Sequence, residues 1–271
     1  MWIDSHAHLS APEFDADREA VLDRAVAAGV SALVAIGAGY GVDECEKAVA
    51  LAERDERIFA TVGVHPHDAS LLDDPARRRL EALAGHPRVV AVGECGLDYH
   101  YLRSPREVQR SVFAEQLALA RRAGLPVSIH VRGDDSTAYD DLLEIWRSEG
   151  AGALEGVLHC YTGTLGFARR ALDEGLLVSF SGILTFKKDR GLREVAAALP
   201  LERLLVETDS PLLAPEGFRG RRNEPVHVTR VGEALAAAQG RKPQEVADAT
   251  TRSARRLFGL DSRRNPGGGG V

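Results

Sequence analysis

The 271-residue chain carries 34 Lys and Arg against 40 Asp and Glu, a formal net charge of -6, which argues against a protein that coats nucleic acid through bulk positive charge. Its 44% hydrophobic and 27% charged residues are the mixture of an ordinary globular chain, and with only 6% aromatics the core has to rest on Val, Leu, Ile and Ala. Cys45, Cys95 and Cys160 are too few and too far apart for a disulfide framework or a Cys-x-x-Cys zinc site. The opening MWIDSHAHLS lacks the basic-then-apolar make-up of a secretory leader, and no apolar run is long enough to span a bilayer, so the expected setting is a reducing cytoplasm.

Taken in chain order, strand-like and helix-like segments alternate. A strand is predicted over 2–8, a helix over 15–28, a strand over 32–38, a helix over 42–54 and a strand over 58–65. Then come a strand over 89–94, a helix over 106–123, a strand over 126–132 and a helix over 135–147. Strands over 154–159, 176–182 and 204–209 are separated by helices over 167–174 and 189–198. A Pro- and Gly-rich loop follows to Pro225, then helices over 226–238 and 243–258. Eight strands alternating with helices predict parallel βαβ units, and the count and length suit an α/β fold closed as a single-domain (β/α)8 TIM barrel over 1–260. An open doubly wound sheet would need a phosphate loop or dinucleotide fingerprint, and neither is present. The tail 261–271, with four consecutive glycines, is expected to be flexible.

Most of these strands end in a residue able to bind metal or exchange a proton, at the end where barrels carry their active face. The first ends in His6 and His8, two apart and so on one face, with Asp4 expected on that face and Ile3 and Ala7 on the other. The fourth ends at Glu94 after Val90 and Val92, and the fifth turns Ser128, His130 and Arg132 inward. The sixth ends at His159 and the eighth places Glu207 and Asp209 together. Any one of these could be a hydrogen-bonded histidine or a helix-capping acid. Gathered at one mouth, the carboxylates would repel one another and the histidines would lack strong partners, and divalent cations resolve both problems.

The stretches IDSHAH (3–8), VGVHPH (62–67), VGECGLDY (92–99), IHVR (129–132), LHCYTG (158–163), FSG (180–182), VETDSP (206–211) and RNEP (222–225) resemble, in order and over nearly the whole chain, the TatD family of metal-dependent hydrolases, in the amidohydrolase-like group. The resemblance implies that His6, His8, Glu94 and Asp209 hold one cation, and that Glu94, His130 and His159 hold a second, with Glu94 bridging. It implies a deoxyribonuclease that trims single-stranded DNA from the 3′ end, using water activated by two divalent metal ions. Mg²⁺, Mn²⁺ and Zn²⁺ all remain open, because imidazoles and hard oxygens favour different ions.

Within that reading Asp209 is the expected general base and Glu94 its catalytic partner, while Glu207 orients a ligand histidine from behind. Substrate contacts are expected from His65, Arg132, Asp98 and Asn223, with Tyr99 in a matching motif and Lys187, Lys188, Arg219, Arg221 and Arg222 on loops at the same mouth. DNA is the expected partner; no membrane association is expected, and the sequence leaves the oligomeric state open, a monomer being compatible with it. A metal-dependent hydrolase of an amide, a lactone or a deaminated ring is the alternative, since one fold serves many reactions, and a metal-binding quality-control partner with little turnover is a third.

Overall fold

In the computed structural model, which describes residues 1–150, 152–188 and 191–263, the expected alternation becomes eight strands. They are β1 (Trp2–Ala7), β2 (Val30–Ala35), β3 (Ile58–Val62), β4 (Val89–Asp98), β5 (Val127–Arg132), β6 (Gly156–Leu158), β7 (Leu176–Phe180) and β8 (Leu204–Val206). Each pairs in parallel with the next in sequence, in the order β1 to β8. The Asp209 N–H donates to the His6 carbonyl (2.9 Å) and the His8 N–H to the Ser210 carbonyl (2.8 Å). These bonds draw the end of β8 against β1 and bring the sheet round into the expected (β/α)8 barrel.

The outer helices are α1 (Arg18–Ala27), α2 (Glu44–Arg54), α3 (Asp74–Ala84), α4 (Arg106–Ala123), α5 (Thr137–Gly150), α6 (Leu165–Asp173), α7 (Leu192–Ala198), α8 (Val228–Gln239) and α9 (Pro243–Phe258), followed by the short α10 (Leu260–Arg263). The bounds of α4 and α9 are those predicted. Helix α3 has no counterpart among the predicted elements. It buries only Ala76, Leu80 and Ala84, four residues apart, so its apolar stripe is too thin to stand out. Its start is nonetheless marked: the Asp73 carboxylate accepts the Ala76 N–H (2.8 Å), with Pro75 in the first turn. Of the expected flexible tail, residues 264–271 lie outside the described residues, and Asp261–Arg263 continue a helix from buried Leu260. Likewise 189 and 190, expected to begin a helix, lie outside them.

The barrel is filled from below. Ile3, Val34, Phe59, Val90, Leu177 and Leu205 point inward and pack against Leu257 and Phe258 of α9 and Leu260 of α10, which close the N-terminal end. Outward-facing residues such as Leu33, Ala60, Val92, Ile129 and Val178 join the larger cluster shared with the helices.

Two bulges correct the expected facing of side chains. In β1, Asp4 pairs with Leu33 but Ala7 with Ala35, so three residues on one strand oppose two on the other. Ile3 therefore faces the interior, Ser5 reaches the Ser179 hydroxyl across it (3.2 Å), and after the bulge it is His6 and His8 that turn inward. Asp4 does not share their face: its oxygens accept the N–H (2.9 Å) and hydroxyl (2.5 Å) of Thr208. In β4, Val92 pairs with Val127 and Cys95 with Ile129, again three against two. Val92 and Cys95 both face the helices, and Glu94 is released inward. Val90 is already inside, because Ala60 pairs with Val89 but Thr61 with Ala91, so Val90 and Val92 do not share a face. Glycine is required here. A Cβ on Gly93 (φ 141°) would collide with the Ser128 carbonyl, and one on Gly96 (φ 139°) with that of His130.

Candidate metal centre

The bulges converge five imidazoles and two carboxylates at the C-terminal mouth. Glu94 sits at the middle with its two oxygens turned to different sets of neighbours. Its Oε2 lies 3.4 Å from His6 Nε2 and 3.7 Å from His8 Nε2. The same two nitrogens are 3.6 and 3.4 Å from Asp209 Oδ1. Its Oε1 lies 2.7 Å from His159 Nε2, 3.0 Å from His130 Nδ1 and 3.4 Å from His65 Nε2. Among the described residues, His6–His8–Asp209, His6–Glu94–His159 and His65–Glu94–His130 each bring donor atoms within 4.8 Å of one another.

What each imidazole offers is decided behind it. His8 Nδ1 faces the Ala38 carbonyl (3.1 Å), which only accepts, so Nδ1 carries the proton and Nε2 turns its lone pair inward. Asp98 does the same for His130, at 3.1 Å from Nε2, leaving Nδ1 to face Glu94. Glu207 does it for His159, at 3.2 Å from Nδ1. His65 is the exception. Its Nδ1 accepts the His67 backbone N–H (3.0 Å), so its Nε2 carries hydrogen and enters the site as a donor. His65 thus lies as close as a ligand yet presents no lone pair.

Burial and neighbouring charge set the ionisation. Burial pushes the Glu94 carboxyl up, but His159, His65 and His130 outweigh it and hold it well below the usual carboxylate range. Burial likewise opposes ionisation of Asp209, and His8 and His6 overcome it. His6 is pulled down by burial and by His159, and His65 by burial to about 4, so both stay neutral. His159 and His130 are raised despite burial, through Glu94 with Glu207 and through Asp98 with Glu94 respectively. Two ionised carboxylates thus stand among the imidazoles, drawing His8, His130 and His159 toward the charged form while His6 and His65 stay neutral. His6 Nε2 is fully buried and without a hydrogen-bond partner. An orphan of that kind costs about 1–3 kcal/mol unless something binds it, and a divalent cation fits that nitrogen together with the oxygens facing it.

Asp209 is held at φ 55°, a left-handed conformation uncommon outside glycine, by the bond from its N–H to His6 and by the Leu212 N–H donating to its carbonyl (2.9 Å). Glu207 lies behind His159 as expected, and Oε1 also accepts the Cys160 N–H (2.6 Å). Other expected residues stand elsewhere. Asp98 is 1% exposed, and its oxygens are taken by His130, His67 and the N–H groups of His100 and Tyr101, so it is a brace behind the site with no face to substrate. Asn223 is fully buried and bonds Thr208, Leu212, Glu224 and His227, tying down the loop after β8. Arg132 points out rather than in, with its guanidinium 4.8 Å from the centre of the Tyr101 ring. Tyr99 is buried and donates to Asp141 (2.8 Å). Arg222 is bound by Asp17 and Glu224 away from the site, while Lys187, Lys188, Arg219 and Arg221 are exposed.

The roles of two residues escaped the sequence reading. His67 supplies the N–H that sets His65 and shares the Asp98 carboxylate (3.0 Å); the signal was its place in His-Pro-His. Ser128, expected to face inward, has its hydroxyl 3.5 Å from His6 Nδ1.

Comparison with known proteins finds relatives over nearly the whole chain. A family model described as TatD related DNase matches residues 3–259. An uncharacterized metal-dependent hydrolase, YabD, from Bacillus subtilis (strain 168) is 40% identical over 261 residues, covering 96% of this chain and 100% of its own. A 3′-5′ ssDNA/RNA exonuclease TatD from Cronobacter sakazakii is 40% identical over 256 residues, covering 93% and 95%. The crystal structure of YjjV, a TatD homolog from Escherichia coli K12, superposes with a TM-score of 0.88 at 32% identity, covering 95% and 98%.

Proposed function

The chain belongs to the TatD related DNase family of metal-dependent hydrolases, and from that premise we propose that it is a deoxyribonuclease that removes nucleotides from the 3′ end of single strands at a two-cation centre. The observation that carries the proposal is the division of Glu94: one oxygen toward His6, His8 and their neighbour Asp209, the other toward His130 and His159. A carboxylate so placed would hold an ion with each oxygen. We assign His6, His8, Glu94 and Asp209 to the first and Glu94, His130 and His159 to the second.

Divalent ions held there would supply positive charge for a phosphodiester's oxygens and would lower the pKa of water. The residues do the rest. Asp209, kept ionised by His8 and His6, accepts the proton of the attacking water, worth about 10²–10⁴-fold. His65 donates Nε2–H to a phosphate oxygen, and Arg132, exposed at the rim, meets a neighbouring phosphate with its planar fork. Asp98 and Glu207 hold His130 and His159 with their lone pairs inward. Residues 1–260 form the catalytic unit, and the tail beyond them takes no part. No described helix is long and apolar enough to cross a membrane, and the three cysteines are unpaired.

The test starts from metal-free protein. Mg²⁺, Mn²⁺ or Zn²⁺ is added back with end-labelled single-stranded DNA and, separately, a panel of small esters and amides. Stepwise shortening from the 3′ end is expected, lost in Asp209→Asn with an unchanged melting curve. Turnover of amides without DNA cleavage would overturn the phosphodiester assignment.

A further inference from the structure

The mouth carries an exposed aromatic ring that none of the roles above uses. Tyr101, just after β4, is 51% exposed, and Leu102 beside it is 44% exposed. Its ring continues a series that begins in the metal centre: His65 to His67 at 4.3 Å between centroids, then His67 to Tyr101 at 5.5 Å. The Arg132 guanidinium lies 4.8 Å from the Tyr101 ring centre and that of Arg103 5.9 Å. Neither arginine has a carboxylate partner among the described residues.

The ring is also fixed relative to the ions' ligands. Asp98 Oδ1 accepts the Tyr101 N–H at 2.8 Å, while Oδ2 of the same carboxylate accepts His130 Nε2 at 3.1 Å. Arg132 is two residues beyond His130 on β5. One buried carboxylate thus locks the ring's backbone to a ligand histidine, and one strand carries both that histidine and the cation over the ring. A rigid flat apolar face flanked by unpaired guanidinium groups, beside a phosphodiester site, is what a nucleobase and its flanking phosphates require.

We propose that Tyr101, with Arg132 across it, is the stacking shelf for the base of a nucleotide next to the scissile phosphate. The inference rests on the nuclease reading and adds to it a residue that fixes which phosphate reaches Glu94 and Asp209. Stacking tolerates every base, so the shelf favours unpaired strands without reading their sequence.

The test compares wild type, Tyr101→Ala and Tyr101→Phe on a single-stranded oligonucleotide and on its counterpart with abasic residues at the two 3′-terminal positions. Equilibrium binding of a strand with 2-aminopurine at those positions, in chelator, supplies a readout independent of turnover. Tyr101→Ala is expected to raise KM about 5- to 100-fold on the base-bearing strand, to leave kcat and the abasic substrate unchanged, and to lose the 2-aminopurine quench. Tyr101→Phe should behave as wild type. Equal losses on both substrates, or no loss on either while wild type cleaves, would overturn the shelf alone. Wild-type protein that neither binds nor cleaves the strands would overturn the nuclease reading and the shelf with it.

Discussion

At its N-terminal end the barrel interior holds Ile3, Val34, Phe59, Val90 and Leu205 against Leu257 and Phe258, while a few residues further along, β1 and β4 and the segment after β8 carry His6, Glu94 and Asp209. The lower layer is closed by a helix, and the side chains that fill it are apolar. The upper layer is as buried, with Glu94 2% and His6 0% exposed, yet it is polar and leaves His6 Nε2 unpartnered. One end holds the barrel together, and the other is braced by carboxylates and would be compensated by the proposed cations. Substitutions at the two ends should therefore fail in different ways.

The largest effect is expected from Glu94→Ala, which removes an oxygen from both proposed ligand sets. Activity should fall by about 10³-fold or more and metal analysis should find less than one ion per chain. Retention of two ions would break the bridging assignment. Next comes Phe258→Ala below the barrel. Deleting a buried phenyl ring costs about 3–5 kcal/mol of stability, seen as a lower denaturation midpoint, while the molecules still folded should keep wild-type kcat and metal content. A large fall in kcat at equal folded fraction would mean that the two ends are coupled.

A smaller loss should follow Glu207→Gln, which weakens the brace behind His159 without touching the ions: about 10- to 100-fold in metal affinity by titration calorimetry. An unchanged affinity would reduce Glu207 to a packing residue.

Smallest near pH 5 and growing with pH is the expected effect of Asp4→Asn. Burial pushes the Asp4 carboxyl up to about 8, against its bonds with Thr208. The folded chain thus keeps a proton that the unfolded chain has released from about pH 4 upward. Stability from this group is complete below that and declines as pH rises toward 8. Melting temperatures between pH 5 and 9 should fall less in the amide variant than in wild type. Parallel curves would rule out a protonated Asp4.

Several mouth residues could be read from residue type and strand position before any coordinates. His6, His8, Glu94, His130, His159 and Asp209 each lie at or near the end of a predicted strand, and the fold gathers them at one mouth, all buried but the half-buried His130. Asp98 and Asn223 were legible as motif residues but not as braces, because their partners lie on other segments: His67 and His130 for one, Thr208 and Leu212 for the other. Arg132 follows the inward alternation of Ser128 and His130 on paper, yet at the strand's last residue the barrel no longer constrains it and Tyr101 captures it.

By itself the sequence determined the number and order of the strands and which residue types reach their C-terminal ends, since period-two and helical patterning are local properties. Only the tertiary structure decided which face the decisive side chains take. The bulges in β1 and β4 arise from mismatched pairing with neighbouring strands, information that no single strand contains. The same holds for the protons: a histidine's own letter is silent on which nitrogen is free, and the carbonyl, carboxylate or N–H brought behind it by another part of the chain makes His8 and His130 donors of lone pairs and His65 a donor of hydrogen.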